Sequence, residues 1–257
     1  MCELFGLSGK EKVNISRDLK EFYSHAPQHP NGWGLYLRDE FTDFFYKEHQ
    51  RADQSARLAQ LLSGRVRPKD AIAHIRYATV GHVDIRNTHP FRGRDQSDRE
   101  WIFAHNGTIF ESEVLEKYFH LQKGETDSER IFLYLLDQMN LMIRERDMPL
   151  SEEDRFTVLE DLVARLAPKN KLNLLIYDGD ILYAHTNFKA SLYQRTGAGE
   201  TCFSTTPLSA GDWTPLPFMR LLSYKDGQLQ KTGSCHGHEY IPDSESIGTL
   251  YLMYSNL

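Results

Sequence analysis

The sequence of 257 residues predicts a single α+β domain whose sheets are largely antiparallel. Its second half contains short runs of β-branched and aromatic residues, separated by hairpin-type turns such as Asp178-Gly179-Asp180 and Lys225-Asp226-Gly227. Earlier segments space their apolar residues as amphipathic helices do. No internal repeat or low-complexity linker interrupts the chain, so we predict one domain over residues 1–257.

Five segments carry helix signals. The patterns of apolar and capping residues predict helices over 16–26, 53–63, 111–119 and 151–166. A longer helix is predicted to begin at Thr126-Asp127-Ser128-Glu129, a capping box in which Thr126 accepts from the Glu129 amide and Glu129 reaches back. Its apolar stripe, which includes Phe132, Leu135 and Met139, is typical of a core face.

The strand candidates run through the whole chain. A turn at 29–32 leads into a strand that begins at Trp33, and residues 92–100 are predicted to form a charged loop. The remaining strand candidates are 3–7, 44–47, 71–76, 101–104, 172–177, 181–185, 201–204, 221–224, 228–232 and 250–254. The first of these would hold the N-terminal residues at the end of a sheet and not on a frayed tail.

Composition and charge limit the classes of function. Hydrophobic residues make up 40% of the chain, enough for a sizeable core. The net charge of −6 and the pI near 6.0 disfavour a nucleic-acid or anionic-membrane partner. Three widely spaced cysteines argue against a disulfide framework and fit a reducing compartment. Since no signal peptide and no long apolar run is present, we expect a cytoplasmic protein.

The histidines and the later cysteines do not indicate a metal site. The densest group, Cys235-His236-Gly237-His238, is too closely spaced and lacks a second cluster, so we predict no metal and no cofactor. Cys202 and Cys235 are expected to be packed, unreactive thiols. His74, His89 and His105 are expected to be buried in strands or oriented by a nearby site.

Cys2 is the first candidate for chemistry. Removal of Met1 would give Cys2 a free α-amine beside its thiol, so one residue would supply both a base and a nucleophile near neutral pH. The alternative is a cysteine that follows Met1 by accident. A retained Met1 would block the amine.

Further candidates lie at the ends of predicted elements, and each has a structural alternative. Arg76 ends a buried strand and presents a fork suited to a carboxylate, although a structural salt bridge would also explain it. Asn106-Gly107 follows another strand, where a hairpin turn is the simpler interpretation. Asp127 lies in the first turn of a helix, where the helix dipole favours an acidic residue.

Taken together, these residues and their neighbours resemble the class II glutamine amidotransferases, the N-terminal-nucleophile enzymes that release ammonia from glutamine. The resemblance rests on motifs in the same order along the chain: Cys2 followed by Leu4-Phe5-Gly6, then Arg76-Tyr77-Ala78-Thr79-Val80-Gly81, Asn87-Thr88-His89-Pro90, His105-Asn106-Gly107 and Thr126-Asp127-Ser128-Glu129. A later segment, Phe203-Ser204-Thr205-Thr206-Pro207-Leu208, is similar to that of small stand-alone members. The resemblance therefore covers most of the chain.

The resemblance implies a four-layer αββα sandwich, with two antiparallel sheets between helical layers. It implies that Cys2 attacks the glutamine amide and that Asn106 and Gly107 stabilise the resulting oxyanion. Arg76 would hold the α-carboxylate of glutamine and Asp127 its α-ammonium group. The remaining substrate-binding positions that it implies are Tyr77, Thr79 and His89.

Departures from better-known members leave the acceptor side open. Val80 stands where some members have a histidine, and the arginine that some synthases carry has no match among Gln28, His29 and Pro30. The ammonia would be released or passed to a separate accepting protein. Two alternatives remain: hydrolysis of a larger γ-glutamyl amide, and a protein that senses glutamine without turnover.

Overall fold

The computed structural model describes residues 2–39, 42–79 and 81–242. Its α-helices are α1 (Ser16–Ser24), α2 (Ala56–Ser63), α3 (Asp127–Arg146) and α4 (Glu152–Leu166). Its strands are β1 (Glu3–Gly9), β2 (Trp33–Arg38), β3 (Asp43–Glu48), β4 (Asp70–Ile75), β5 (Phe91–Arg94), β6 (Glu100–His105), β7 (Asn173–Tyr177), β8 (Leu182–Thr186), β9 (Tyr193–Gly197), β10 (Glu200–Ser204), β11 (Thr214–Pro215), β12 (Arg220–Lys225) and β13 (Gln228–Thr232).

In this part of the chain the strands form two antiparallel sheets. The first sheet has the order β11-β9-β10-β1-β4-β2-β3, and the second has the order β13-β12-β8-β7-β6-β5. β1 lies at the centre of the first sheet, between β10 and β4. Its register pairs Phe5 with Ser204 on one side and Glu3 with Ile75 on the other.

Three hydrophobic clusters mark the interfaces between layers. One packs α1 and α2 against the first sheet, the second fills the space between the sheets, and the third packs α3 and α4 against the second sheet. Representative members are Leu19, Leu58 and Phe5 in the first cluster, Leu4, Ile72 and Leu175 in the second, and Leu135, Leu159 and Ile176 in the third. The order of layers is α–β–β–α, which confirms the predicted sandwich.

The central strands are apolar on both faces because both faces are covered. In β1, Leu4 points between the sheets while Phe5 packs toward the helices. In β4, Ile72 likewise points between the sheets and Ala73 packs toward the helices. Such strands read as continuous apolar runs and not as alternating ones, which is why they were recognisable in the sequence.

The structure corrects two predicted helices and confirms one turn. The helix predicted over 53–63 begins at Ala56, because the Ser55 hydroxyl accepts from the Leu58 N–H and caps it. The last hairpin turn is confirmed, with Asp226 and Gly227 at φ 52° and 72° between β12 and β13. The segment predicted as a helix over 111–119 forms a 3₁₀ helix, Glu113–His120.

Other expectations were wrong or lie outside the described residues. The capping box of α3 is only half formed, since the Glu129 carboxylate accepts from the Lys123 and Gly124 N–H groups at 2.8 and 2.7 Å. The loop predicted over 92–100 contains residues 92–94 of strand β5 and Glu100, the first residue of β6. Cys202 is packed as predicted, whereas Cys235 is exposed, so the prediction that it is packed was wrong. The strand predicted over 250–254 lies outside the described residues. Among the helices in the described ranges, none combines the length and apolar character needed to cross a membrane.

A buried ion pair joins α4 to the β7–β8 turn. Arg155 Nε donates to Asp178 Oδ2 at 2.6 Å, and both side chains are almost completely buried. The same oxygen accepts from the Tyr183 hydroxyl at 2.9 Å, while Oδ1 accepts from the Ile181 N–H at 2.8 Å. Removing one member of a buried pair costs more than the pair contributes, because the other charge remains buried.

We therefore expect Arg155→Met to lower the free energy of unfolding by about 3–5 kcal/mol. The matched control is Arg165→Met on the same helix, where Arg165 faces Asp161 at 3.5 Å in an exposed pair. That control should change stability by less than about 0.5 kcal/mol. Urea denaturation of the three proteins measures both values, and equal losses in the two variants would contradict the assignment.

Candidate active site

Cys2 is fixed at the end of β1 by the backbone of Tyr77, two residues beyond the end of strand β4. Its thiol donates to the Tyr77 carbonyl at 3.3 Å, and its sulfur accepts from the Tyr77 N–H at the same distance. On the other edge of β1, Leu4 N–H donates to the Thr205 hydroxyl at 3.0 Å. The later motif that contains Thr205 thus lies beside the N-terminal strand, and Cys2 is half-buried between two supports.

Arg76 follows β4 directly, so the register of β1 and β4 places it beside Cys2, one step beyond the Glu3–Ile75 pair. Only 3% of its surface is exposed. Its Nη1 donates to the His82 carbonyl and its Nη2 to the Gly81 carbonyl, both at 3.0 Å. Burial lowers the pKa of Arg76, but the group remains a cation at any ordinary pH.

The turn before β2 supports the Arg76 segment. Asn31 N–H donates to the Arg76 carbonyl at 3.0 Å, and the Asn31 side chain accepts from the Ala78 N–H at 2.9 Å. Gly34 is required by close packing, since a Cβ at this position would overlap the His89 carbonyl oxygen. The turn at Asn31 and the start of strand β2 at Gly34 therefore both support the residues around Arg76.

Asn87 connects the loop behind Arg76 to the start of α3. Its side-chain NH₂ donates to the His82 carbonyl at 3.0 Å and to the Glu125 carboxylate at 3.2 Å. Its side-chain oxygen accepts from the Glu125 N–H at 2.7 Å. One buried amide thus holds together the segment that orients Arg76 and the segment that carries Asp127.

Asp127 is the first residue of α3 and is 5% exposed. Its Oδ1 accepts from the Ser128 N–H and its Oδ2 from the Ile109 N–H, both at 2.8 Å. The Ser128 hydroxyl also lies 3.3 Å from Oδ1. These contacts fix the orientation of the carboxylate, and Oδ2 keeps a second lone-pair direction for another donor. The carboxylate is therefore suited to binding a cationic group.

Asn106 and Gly107 form a short segment between β6 and the Thr108–Lys171 bridge. The Asn106 backbone N–H donates to the Asn173 carbonyl at 2.9 Å, so this segment continues alongside β7 and is not a hairpin turn. A Cβ at Gly107 would overlap the Lys171 carbonyl oxygen. Within the described residues, neither the Asn106 side-chain NH₂ nor the Gly107 N–H has a hydrogen-bond acceptor. These two donors remain available to a ligand.

His105 joins three segments of the site. Its Nε2 lies 3.1 Å from the Lys171 carbonyl, which can only accept, so we place the ring proton on Nε2. Its Nδ1 then accepts from the Ser128 hydroxyl at 3.0 Å. Complete burial lowers the pKa of His105 and keeps the ring neutral at pH 7.

The groups around Cys2 shift the pKa of its thiol in opposite directions. Burial raises the pKa of the Cys2 thiol, and the Asp127 carboxylate raises it further. The Tyr77 N–H and the Arg76 guanidinium act in the opposite direction. Cys2, Arg76 and Asp127 are therefore close enough to influence one another, although they are far apart in sequence.

Sequence reasoning missed Lys171, which also interacts electrostatically with Cys2. It lies in a loop between charged and polar residues, a pattern typical of the surface, yet only 3% of it is exposed. The available signal was its position directly before the buried strand β7. Burial lowers the pKa of Lys171 to about 8.

The other predicted binding residues lie around this centre. The Tyr77 side chain is largely exposed and Thr79 is half-buried, whereas Val80 lies outside the described residues. His89 is buried against His74, with ring centroids 4.3 Å apart. The ring nitrogens of both histidines lack hydrogen-bond partners in the described part of the chain, and burial lowers both pKa values. No contact of His89 with Cys2 is observed within the described ranges, and its role in binding remains a prediction.

The histidines near the C-terminal part of the described chain pack on one another. His185 Nε2 lies 3.1 Å from His236 Nε2, and the His236 ring stacks on His238. No group of three or more His, Cys, Asp or Glu side chains within residues 2–39, 42–79 and 81–242 is arranged to hold a metal ion.

Comparison with known proteins identifies the family. A sequence model of the glutamine amidotransferases class-II matches residues 1–198. The chain belongs to this family. An uncharacterized protein of Methanocaldococcus jannaschii is 34% identical over 189 residues, which cover 74% of this chain and 52% of that protein. The chain thus spans about half the length of this relative. Escherichia coli YafJ, provisionally named a glutamine amidotransferase, is 30% identical over 192 residues, or 72% of each chain.

Solved structures show the same fold. A Pseudomonas aeruginosa protein described as a predicted glutamine amidotransferase has a TM-score of 0.62 at 23% identity, covering 90% of this chain and 100% of that one. The glutamine phosphoribosylpyrophosphate amidotransferase of Bacillus subtilis has a TM-score of 0.66 at 18% identity, covering 93% of this chain and 50% of that one. At these identities the likeness concerns the fold of class II glutamine amidotransferases.

The close packing at Gly107 predicts that adding a methyl group at this position lowers the stability of the protein. Gly107→Ala should lower the free energy of unfolding by about 1–3 kcal/mol, because the backbone of the Asn106–Gly107 segment has to move away from Lys171. Gly64→Ala is the matched control, since its Cβ would meet its nearest neighbour at 3.6 Å. Thermal unfolding of both variants checks this, and an unchanged midpoint for Gly107→Ala would contradict the geometry.

Proposed function

We propose that this chain hydrolyses the side-chain amide of glutamine through Cys2, giving a γ-glutamyl thioester, ammonia and then glutamate. One observation carries the proposal: the half-buried Cys2 thiol is held directly before β1, next to the buried Arg76 in the strand register. The mechanism also uses the buried Asp127 and the Asn106 and Gly107 N–H donors, which have no acceptor in the described residues. Membership of the class II glutamine amidotransferases supports the same chemistry.

In the proposed mechanism the Cys2 α-amine, exposed by removal of Met1, accepts the thiol proton through a water molecule. The thiolate attacks the amide carbon, and the carbonyl oxygen becomes an oxyanion. The Asn106 NH₂ and Gly107 N–H donate to this oxygen. The carbon–nitrogen bond then breaks, the amine returns the proton to the leaving ammonia, and water hydrolyses the thioester.

Recognition of glutamine depends on two oppositely charged groups. Arg76 carries five N–H donors in a planar fork, and the two carbonyls that orient it leave its charge intact, so we assign it the substrate α-carboxylate. Asp127 is held by two backbone N–H groups and accepts from the α-ammonium group. Tyr77, Thr79 and His89 complete the proposed binding region. The ammonia is released or passed to a separate protein in the same cytoplasmic compartment.

Replacing Cys2 by Ala is expected to abolish glutamate formation from glutamine, because the nucleophile is lost. Cys235→Ala is the control, since Cys235 is exposed and makes no contact with this site in the described residues. A coupled glutamate assay measures both variants. Undiminished activity in Cys2→Ala would refute the mechanism.

The mass of the intact protein tests the proton acceptor. A chain lacking Met1 has the free α-amine, whereas a chain that retains Met1 lacks it. If the purified protein retains Met1 and still forms glutamate, the α-amine is not the base.

The same assays separate the alternative functions. Glutamate release from larger γ-glutamyl amides but not from glutamine would identify a hydrolase of larger substrates. Glutamine binding in calorimetry without glutamate formation would identify a sensor. Either result would replace the proposed glutaminase reaction.

Asn106→Ala should lower kcat by roughly 10²–10³, because one oxyanion donor is lost. KM should change little, since the donor acts mainly in the transition state. Asn140→Ala is the control. Asn140 lies on α3, where its side-chain oxygen accepts from the Gln96 N–H. Steady-state kinetics would contradict the role of Asn106 if its substitution raised KM and left kcat unchanged.

A further inference from the structure

Asn31 is a half-buried residue beside the proposed active site, and the glutaminase mechanism above does not use it. It lies in the turn before β2. Its backbone N–H donates to the Arg76 carbonyl at 3.0 Å, and its side-chain oxygen accepts from the Ala78 N–H at 2.9 Å. Asn31 therefore contacts both residues that flank Tyr77, whose backbone holds the Cys2 sulfur.

Two consecutive peptide groups bind Asn31 on one side and Cys2 on the other. In the first peptide, between residues 76 and 77, the carbonyl accepts from the Asn31 backbone and the N–H donates to the Cys2 sulfur. In the second peptide, between residues 77 and 78, the carbonyl accepts from the Cys2 thiol and the N–H donates to the Asn31 side chain. A trans peptide is planar and points its C=O and N–H in opposite directions. The orientation that Asn31 gives to each peptide is therefore the one that the sulfur meets.

The side chain of Asn31 acts on the second peptide alone. Within the described residues, Asn31 and Cys2 are the only hydrogen-bond partners of that peptide. The first peptide is bound by the Asn31 backbone N–H, which every residue except proline would supply. The Arg76 guanidinium is held separately, by the Gly81 and His82 carbonyls. Removal of the Asn31 side chain therefore leaves the fork of Arg76 in place and releases the second peptide.

We propose that Asn31 is a positioning residue for the Cys2 thiol. Its side-chain oxygen holds the N–H of the second peptide, and the carbonyl of that peptide directs the sulfur. Without the Asn31 oxygen, the Ala78 N–H has to turn toward another acceptor, and the carbonyl in the same plane turns with it. The inference rests on the proposed function only in making Cys2 the nucleophile, since these hydrogen bonds exist without substrate.

The first test is the steady-state kinetics of Asn31→Ala with glutamine. Asn31 is not among the residues with positive φ, so alanine fits the backbone at this position. The substitution should lower kcat by roughly tenfold to a hundredfold, because an error of about 1 Å in the position of a reacting group can have that effect. KM should change little, since Arg76 and Asp127 keep the partners that orient them.

Two further variants separate positioning from a general structural effect. Asn31→Asp keeps an acceptor of the same shape, so it should recover most of the lost kcat. Its negative charge disfavours the Cys2 thiolate, and the recovery should therefore increase with pH. Asn14→Ala is the matched control, because the Asn14 side chain accepts from the Ser16 N–H at 3.2 Å before α1. This control removes the same kind of contact and should leave kcat unchanged.

A crystal structure of Asn31→Ala tests the inference without the glutaminase assay. The second peptide should be rotated, and the Cys2 sulfur should no longer lie within hydrogen-bond distance of the Tyr77 carbonyl. Both contacts of the sulfur should remain in Asn31→Asp. If Asn31→Ala does not fold, Asn31→Leu gives the same comparison, because leucine has a similar branched shape and no acceptor.

The outcomes distinguish the inference from the proposed function. An unchanged kcat in folded Asn31→Ala would overturn the inference, and so would a rise in KM alone or an unmoved Cys2 sulfur. An equal loss of kcat in Asn31→Asp at every pH would also overturn it. Absence of glutamate formation in the parent protein, together with a displaced sulfur in Asn31→Ala, would refute the proposed function and leave the role of Asn31 in orienting the thiol intact.

Discussion

The pairing of β1 on both of its edges is the constraint on which the site depends. A terminal segment is ordinarily free to fray, and a frayed thiol has no fixed direction of attack. Here β10 and β4 hold the strand from both sides, while Leu4 and Phe5 anchor it in two different hydrophobic layers. The Tyr77 backbone then fixes the sulfur itself. The Cys2 side chain is oriented because the short strand that follows it is buried and paired on both edges.

The charged groups are held by backbone polar groups and not by one another. Arg76 is oriented by two carbonyls, and Asp127 by two N–H groups. Asn87 and Glu125 keep the two segments at a fixed separation.

Burial has two opposite effects in this centre. It strengthens every charge interaction, because little water competes with it, and it also disfavours the ionised thiol. The His105 ring, neutral in its buried setting, connects Ser128 to the Lys171 carbonyl and so links the Asp127 segment to the Asn106–Gly107 segment. Because the His105 ring is neutral, it holds the two segments together without adding a charge to the site.

Local patterns in the sequence predicted individual strands and helices, whereas the four-layer arrangement was implied by the resemblance to a known family. Continuous apolar runs predicted the buried strands, and five ordered motifs predicted a class II glutamine amidotransferase. Local rules failed where hydrogen-bond partners outside the helix or turn pattern decided the outcome. The Glu129 carboxylate accepts hydrogen bonds from the Lys123 and Gly124 N–H groups and not from the Thr126 N–H of its own capping box. The Asn106-Gly107 segment runs beside β7 and forms no hairpin.

Tertiary structure alone decided which charges surround the thiol. Lys169 and Asn170, which precede Lys171, indicate an exposed loop, and the local sign of burial is the apolar strand that begins shortly after it. It is buried because β7 pairs with β6, which brings Lys171 against Thr108 and His105. The sequence thus identified Cys2 as the candidate nucleophile, while the chain's long-range strand pairing determined its electrostatic environment, a property of distances that no local pattern encodes.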